Sequence, residues 1–194
     1  APAHIVSLIT KLSGKIKMIH PLATKVEEVI SLAFQFDCIP EKEENKLGWY
    51  VEDVCEKALW VVDKSCEYDG LYDFSDQLCL PIRLSLVSPI YQLIVIDEAQ
   101  DMSFSQILLA QRALLPGGRI GVVGDDRQAI YGFRGADSGS IDRLKVELQA
   151  TEYPLTITYR CARKIVAMAQ GLVPDIQPRA DAPDGIIEHK HTDE

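Results

Sequence analysis

Asp97 and Glu98 follow directly on the apolar run Leu93-Ile94-Val95-Ile96, and Asp125 and Gln128 stand just past a second run, Arg119 to Val123. A carboxylate at a strand tip with a second acid beside it suits Mg²⁺ binding next to activation of a water. Read alone, Asp97 would as readily cap a turn. Tyr131 and Phe133 alternate a little further on. Such aromatics are either core residues or platforms for stacked bases. Arg160 read alone is a solvated surface arginine. His4, His20, His189 and His191 show no ligand spacing with other His or Cys, so no metal is assigned to them.

These groups need strands to carry them. Leu93 to Ile96 is short, β-branched and unalternated, the pattern of a strand buried on both faces of a parallel sheet. Ser103 with Gln106 makes a capping box that opens a helix to about Leu115. Gly117-Gly118 ends that helix. Arg119 to Val123 is the next strand, Leu155 to Thr158 a third, and Ala162 to Leu172 a further helix. Strand–helix–strand alternation predicts an α/β parallel sheet, whose ligands sit beyond the carboxyl ends of the strands. Gly185-Ile186-Ile187 is a candidate strand start in a Pro- and Asp-rich tail.

The first 90 residues read differently. Val51, Val54, Cys55, Ala58, Leu59 and Val62 recur at three- and four-residue spacing, as do apolar residues between Val26 and Phe36, which predicts amphipathic helices. Glu41 to Lys46 is a charged loop, Asp69-Gly70 a turn, and Asp73 an N-cap for a helix starting at Phe74.

The chain has 194 residues, 47% of them hydrophobic and 25% charged, a balance able to form a packed core. No apolar run approaches the roughly 20 residues of a membrane helix, and Ala1 to Leu8 lacks the pattern of a signal peptide. Five cysteines form no C-x-x-C pair. Cys55 and Cys66 lie in helical patterns as buried thiols, which fits a reducing cytoplasm. The net charge of −9 argues against extensive phosphate contacts, although a local basic or aromatic track is enough to bind a single strand.

Three strings decide the reading. Ile96-Asp97-Glu98-Ala99-Gln100-Asp101, then Gly124-Asp125-Asp126-Arg127-Gln128-Ala129-Ile130-Tyr131-Gly132-Phe133-Arg134-Gly135-Ala136, then Leu155-Thr156-Ile157-Thr158-Tyr159-Arg160 resemble motifs II, III and IV of the UvrD/Rep/PcrA family of superfamily 1 DNA helicases. The resemblance spans residues 90–172. Upstream, Asp73-Phe74-Ser75-Asp76-Gln77-Leu78 is similar to the stretch that precedes motif II in that family. Thr158 stands where the family usually has Asn, and Cys161 where it usually has Ser.

The resemblance implies a partial RecA-like P-loop NTPase parallel sheet with an α-helical N-terminal subdomain. Residues 1–89 would be the helical subdomain, 90–158 the core segment with motifs II and III, and 159–194 the hinge and the start of a second RecA-like domain. It implies ATP and Mg²⁺ as cofactors. Asp97 would hold the metal, Glu98 would orient the attacking water as base, and Gln128 would sense the γ-phosphate. Tyr159 would stack on adenine, and Arg160 would reach the γ-phosphate as an arginine finger does. Tyr131 and Phe133 would line the DNA track, and Arg134 would support that track or a phosphate. The partners would be single-stranded DNA, duplex junctions and the remainder of a helicase chain, with 3′-to-5′ movement.

No G-x-x-x-x-G-K-[ST] occurs; around Gly14-Lys15, Ile9 and Ile16 occupy the places of the first Gly and the hydroxyl residue. The chain therefore reads as a segment cut at both ends. Alone it is expected not to hydrolyse ATP, and to cover its incomplete sheet by self-association or by packing of residues 1–85. The alternative is a degenerate paralogue, a non-catalytic DNA- or protein-binding module. Intact Asp97, Glu98, Gln128 and Arg160 favour the enzyme.

Overall fold

The computed structural model describes residues 1–40, 48–68, 70–128 and 140–188. The charged loop expected at Glu41 to Lys46 lies outside them, as do Asp69 of the expected turn and His189 and His191. The chain forms two compact units, Ala1–Leu148 and Gln149–Glu194.

In the first unit, α1 (Ala3–Ile19), α2 (Val26–Gln35) and α3 (Val51–Glu67) build a helical layer. Ile5, Leu12 and Ile16 of α1 and Val54, Cys55, Ala58, Leu59 and Val62 of α3 are buried in one cluster, the outcome of apolar residues recurring on one helical face. Acids reach back to tie the helix starts. Glu28 Oε2 accepts the Thr24 and Lys25 N–H groups at 2.8 and 3.0 Å, and Asp53 Oδ2 accepts that of Tyr50 at 2.8 Å. Cys38, Cys55 and Cys79 are buried, and burial pushes the thiols of Cys55 and Cys79 up to about 11. Cys66 is only half-buried, contrary to expectation, because it lies in the final turn of α3 beyond the last buried residue, Val62.

The helix α4 (Asp76–Arg83) begins two residues later than predicted, with Asp73 Oδ1 accepting the Asp76 N–H at 2.9 Å. The same acids hold a buried cation. Lys17, 3% exposed, places its Nζ 2.9 Å from Asp73 Oδ2 and 2.7 Å from Asp76 Oδ1. Its carbonyl accepts the buried Ser105 hydroxyl at 2.6 Å, so α1, α4 and the later helix α5 (Phe104–Ala113) meet at one residue.

Burial alone would raise the Asp73 carboxyl. Hydrogen bonds from Ser75, Lys17 and the Asp76 N–H overcome this and hold it down at about 2, against an ordinary 3.8. Burial alone would lower the Lys17 ammonium, but Asp76 and Asp73 raise it above its ordinary value. A depressed carboxyl stabilises the fold above its unfolded value and loses that contribution as pH falls through the folded one. The raised ammonium contributes fully below its unfolded value and loses this in strong alkali. Thermal stability is therefore expected to fall as pH drops from 3.8 to about 2, with a smaller drop in Asp73→Asn. Circular-dichroism melting curves check this, and equal losses in both proteins would refute it.

The strand β1 (Tyr91–Ile96) pairs in parallel with β2 (Leu114–Val122), in the register Leu93↔Arg119 to Ile96↔Val122. Between them runs α5, opened by the predicted capping box: Ser103 Oγ accepts the Gln106 N–H, and Gln106 Oε1 accepts the Ser103 N–H. The helix ends at Ala113 rather than about Leu115. Leu114 already pairs with Tyr91, and the pairing then breaks register, with Gly117 at φ +78°. Gly117-Gly118 thus serves an irregularity inside β2 instead of a helix end. Ile96, Ala99, Ile107 and Leu144, the last on α6 (Ser140–Leu148), form a second buried cluster.

The expectation that β1 is buried on both faces is corrected. Leu93 and Val95 are 56% and 65% exposed. Among the described residues the sheet has two strands, and α1 and α4 pack on α5 rather than over this face.

In the second unit, β3 (Ile157–Thr158) pairs in parallel with β4 (Gln177–Pro178), and α7 (Arg163–Ala169) lies between them in sequence. The strand expected from Leu155 shortens to two residues, with Leu155 exposed, and the helix expected to reach Leu172 ends at Ala169. Gly185-Ile186-Ile187 forms no strand. The preceding carbonyls of Pro183 and Asp184 instead accept the N–H groups of Arg163 and Lys164, which satisfies two of the open amides at the start of α7.

Candidate functional site

The two parallel strands deliver their following residues to one rim. The Val123 N–H donates to the Ile96 carbonyl at 2.8 Å, and the Ala99 N–H to the Val123 carbonyl at 3.0 Å. The chain is thus zipped past the strand ends, and Asp97-Glu98 lie beside Gly124-Asp125. Glu98 sits in the left-handed region, φ 51° and ψ 44°, a conformation that persists in a non-glycine residue only where its surroundings enforce it. Its N–H donates to Asp97 Oδ1 at 3.0 Å. Both acids are exposed to solvent.

Gln100 joins the two loops. It is 2% exposed. Its Nε2 donates to Glu98 Oε2 at 2.7 Å, and its Oε1 accepts the Asp125 N–H at 3.1 Å. Asp125 in turn organises the next turn: Oδ1 accepts the Arg127 N–H at 3.1 Å and Oδ2 accepts Gln128 Nε2 at 2.7 Å. Gly124 leaves room for this arrangement. A Cβ there would meet Gln100 Oε1 at 2.7 Å, Ile141 Cδ1 at 2.9 Å and the Ala99 nitrogen at 3.2 Å. Asp97, Glu98 and Gln128 are therefore brought to one rim, linked through Gln100 and Asp125.

Asp125 was expected at this rim from its place after the second strand, without a role of its own, and Gln100 was not singled out at all. Their signal was position alone, within the two strings that follow the strands. Tyr159 and Arg160 belong to the second unit, where Tyr159 is 75% exposed and the Arg160 N–H donates to Thr158 Oγ1 at 3.4 Å. Tyr131, Phe133 and Arg134 lie outside the described residues.

The donor set fits a hard cation that keeps part of its shell from elsewhere. Asp97 offers carboxylate oxygen to solvent, and among the described residues no three His, Cys, Asp or Glu side chains gather to hold a metal by themselves. Mg²⁺ is commonly held in this way, by one or two carboxylates together with substrate phosphates.

Residues 4–149 match the model of the UvrD/REP helicase N-terminal domain. The chain belongs to the UvrD/REP helicase family. The matched stretch ends within a residue of the first compact unit. Among its relatives in this helicase family is DNA helicase II of Escherichia coli (strain K12), 32% identical over 134 residues, which cover 63% of this chain and 18% of that protein. DNA helicase II of Rickettsia typhi is 34% identical over 119 residues, 57% of this chain and 18% of the relative. The ATP-dependent DNA helicase srs2 of Schizosaccharomyces pombe is 27% identical over 177 residues, 89% of this chain and 19% of the relative. The chain thus spans less than a fifth of the length of each. No helix among the described residues is long and apolar enough to cross a membrane.

Proposed function

We propose that this chain is the motif II–III–IV segment of an ATP-dependent DNA helicase that moves 3′ to 5′ along single-stranded DNA and unwinds duplex. The observation that carries this is the hydrogen-bonded rim from Asp97-Glu98 through Gln100 to Asp125 and Gln128, in a chain of this family. Asp97 would hold Mg²⁺ and Glu98 would take a proton from the attacking water. Gln128, held by Asp125, would sense the γ-phosphate. Tyr159 would stack on adenine, and Arg160 would complete the charge around the transferred phosphoryl group.

The two strands would belong to a RecA-like core at residues 90–158, residues 1–89 to a helical subdomain, and 159–194 to the hinge. The remainder of the same cytoplasmic helicase chain, supplying a phosphate-cradling loop, is the expected partner, and the isolated chain would cover its open sheet face by self-association or by packing of residues 1–85. Without G-x-x-x-x-G-K-[ST] the isolated chain lacks the backbone cradle and lysine that grip nucleotide phosphates, so it is expected to turn over no ATP.

The DNA track tests the function. In the helicase polypeptide carrying these residues, Tyr131→Ala and Phe133→Ala should each weaken single-strand binding by about 1–3 kcal/mol with little sequence preference, the scale of a lost base–aromatic stack. Fluorescence anisotropy with oligonucleotides of differing sequence measures this. Unchanged affinity with a large loss of melting temperature would make both residues core aromatics instead.

A further inference from the structure

We propose that Gln100 is a positioning residue for ATP hydrolysis, fixing the Glu98 carboxylate and locking it to the loop that carries Gln128. This rests on the reading of Glu98 as the base.

Two features of Gln100 set it apart from a packing residue. Both ends of its amide are used, in the directions their chemistry requires: the NH₂ donates to Glu98 Oε2 at 2.7 Å, and the oxygen accepts the Asp125 N–H at 3.1 Å. A carboxylate has no proton to donate and a backbone N–H has no lone pair to offer, so a neutral amide satisfies both at once. The bridge is also buried, at 2% exposure of Gln100, while Glu98 itself is exposed. One carboxylate oxygen of Glu98 is thereby anchored from inside the protein, leaving Oε1 for a water on the solvent side.

The second consequence is coupling. Asp125, whose N–H ends on Gln100, holds the Gln128 amide through its own carboxylate at 2.7 Å. A displacement of Gln128 by a bound phosphate would pass through Asp125 and Gln100 to Glu98 by contiguous hydrogen bonds. Gly124 preserves the bridge, because a Cβ there would press on Gln100 Oε1 at 2.7 Å.

Gln100→Glu keeps the shape and the acceptor toward Asp125, but it removes the donor and sets a carboxylate against Glu98. Gln100→Met keeps most of the volume and removes both hydrogen bonds; it serves where Gln100→Glu does not fold. The experiment is DNA-stimulated ATP hydrolysis by the helicase polypeptide carrying these residues, for wild type, each Gln100 variant, Glu98→Gln and the double variants. The expected result is a kcat lower by about 10²-fold, the scale of a misplaced reacting group, with KM for ATP within about twofold. In the Glu98→Gln background the Gln100 substitution should have no further effect, since residues acting as one unit are not additive. Loss in Glu98→Gln with near-normal kcat in the Gln100 variants, or with fully additive losses, overturns the role of Gln100 and leaves Glu98 as base. Normal turnover in Glu98→Gln removes the reading of the base, and the proposal with it.

Discussion

Glu98→Gln, introduced into the helicase polypeptide, is expected to lower kcat by about 10²–10⁴-fold, the usual contribution of a positioned general base. The substitution leaves the local shape intact. The left-handed backbone at φ 51° depends on chain connections that the amide keeps: the Glu98 N–H to Asp97 Oδ1 and the Ala99 N–H to the Val123 carbonyl. Gln at position 98 can still accept from Gln100 Nε2 through its own oxygen. What disappears is the second carboxylate oxygen and its ability to take a proton from water. Nucleotide and Mg²⁺ binding should persist, because Asp97 is untouched. Steady-state hydrolysis alongside equilibrium binding of a fluorescent ATP analogue separates the two effects. Turnover close to wild type would remove Glu98 from the role of base, and a parallel loss of nucleotide binding would make its role one of affinity.

Lys17→Met should lower the stability of the isolated chain by about 3–5 kcal/mol, the cost of leaving a buried charge without its partner. Lys17 and Asp76 are both nearly inaccessible, with side chains 4% and 5% exposed, whereas Asp73 is 59% exposed. Asp76 therefore bears most of the cost, and Asp73 turns to water. A second substitution separates charge from packing. Lys17→Met with Asp76→Leu removes both buried charges and should recover a large part of the loss, since well-packed apolar replacements of a buried pair are often neutral. Urea unfolding of the wild type, the single and the double variants measures this. A single-variant loss below about 1 kcal/mol would match an exposed ion pair and contradict the burial. The same ion pairs join α1 to the Asp73–Asp76 stretch, and the Ser105 hydroxyl joins α1 to α5, the helix that follows the candidate site. Lys17→Met keeps the main-chain carbonyl that Ser105 bonds, so its loss is expected to fall on the α1–α4 contact rather than on α5.

Elements whose cause is local were legible in the residues that form them. Apolar spacing of three and four residues gave α2 and α3, because a helix places those positions on one face. Ser103 and Gln106 gave the start of α5, because a capping box is closed by residues three apart. The run Leu93 to Ile96 gave a strand, and the acids after it gave the candidate site. The motif strings also carried the family, now matched over residues 4–149.

Features that depend on residues far apart in the chain emerged only with the fold. The exposure of Leu93 and Val95 could not be read from an apolar run, since burial of a strand depends on what covers it. The end of α5 at Ala113 was decided by Leu114 pairing with Tyr91, a contact between strands. The buried Lys17 looked like any surface lysine until Asp73 and Asp76, more than fifty positions later, came to meet it. Gln100 had no legible role, because its two partners, Glu98 Oε2 and the Asp125 N–H, become neighbours only when the parallel pairing of β1 and β2 brings the two strand ends to one rim. Local periodicity and capping are written in residues a few positions apart, whereas a buried polar bridge is satisfied only by groups that the fold delivers to the same place.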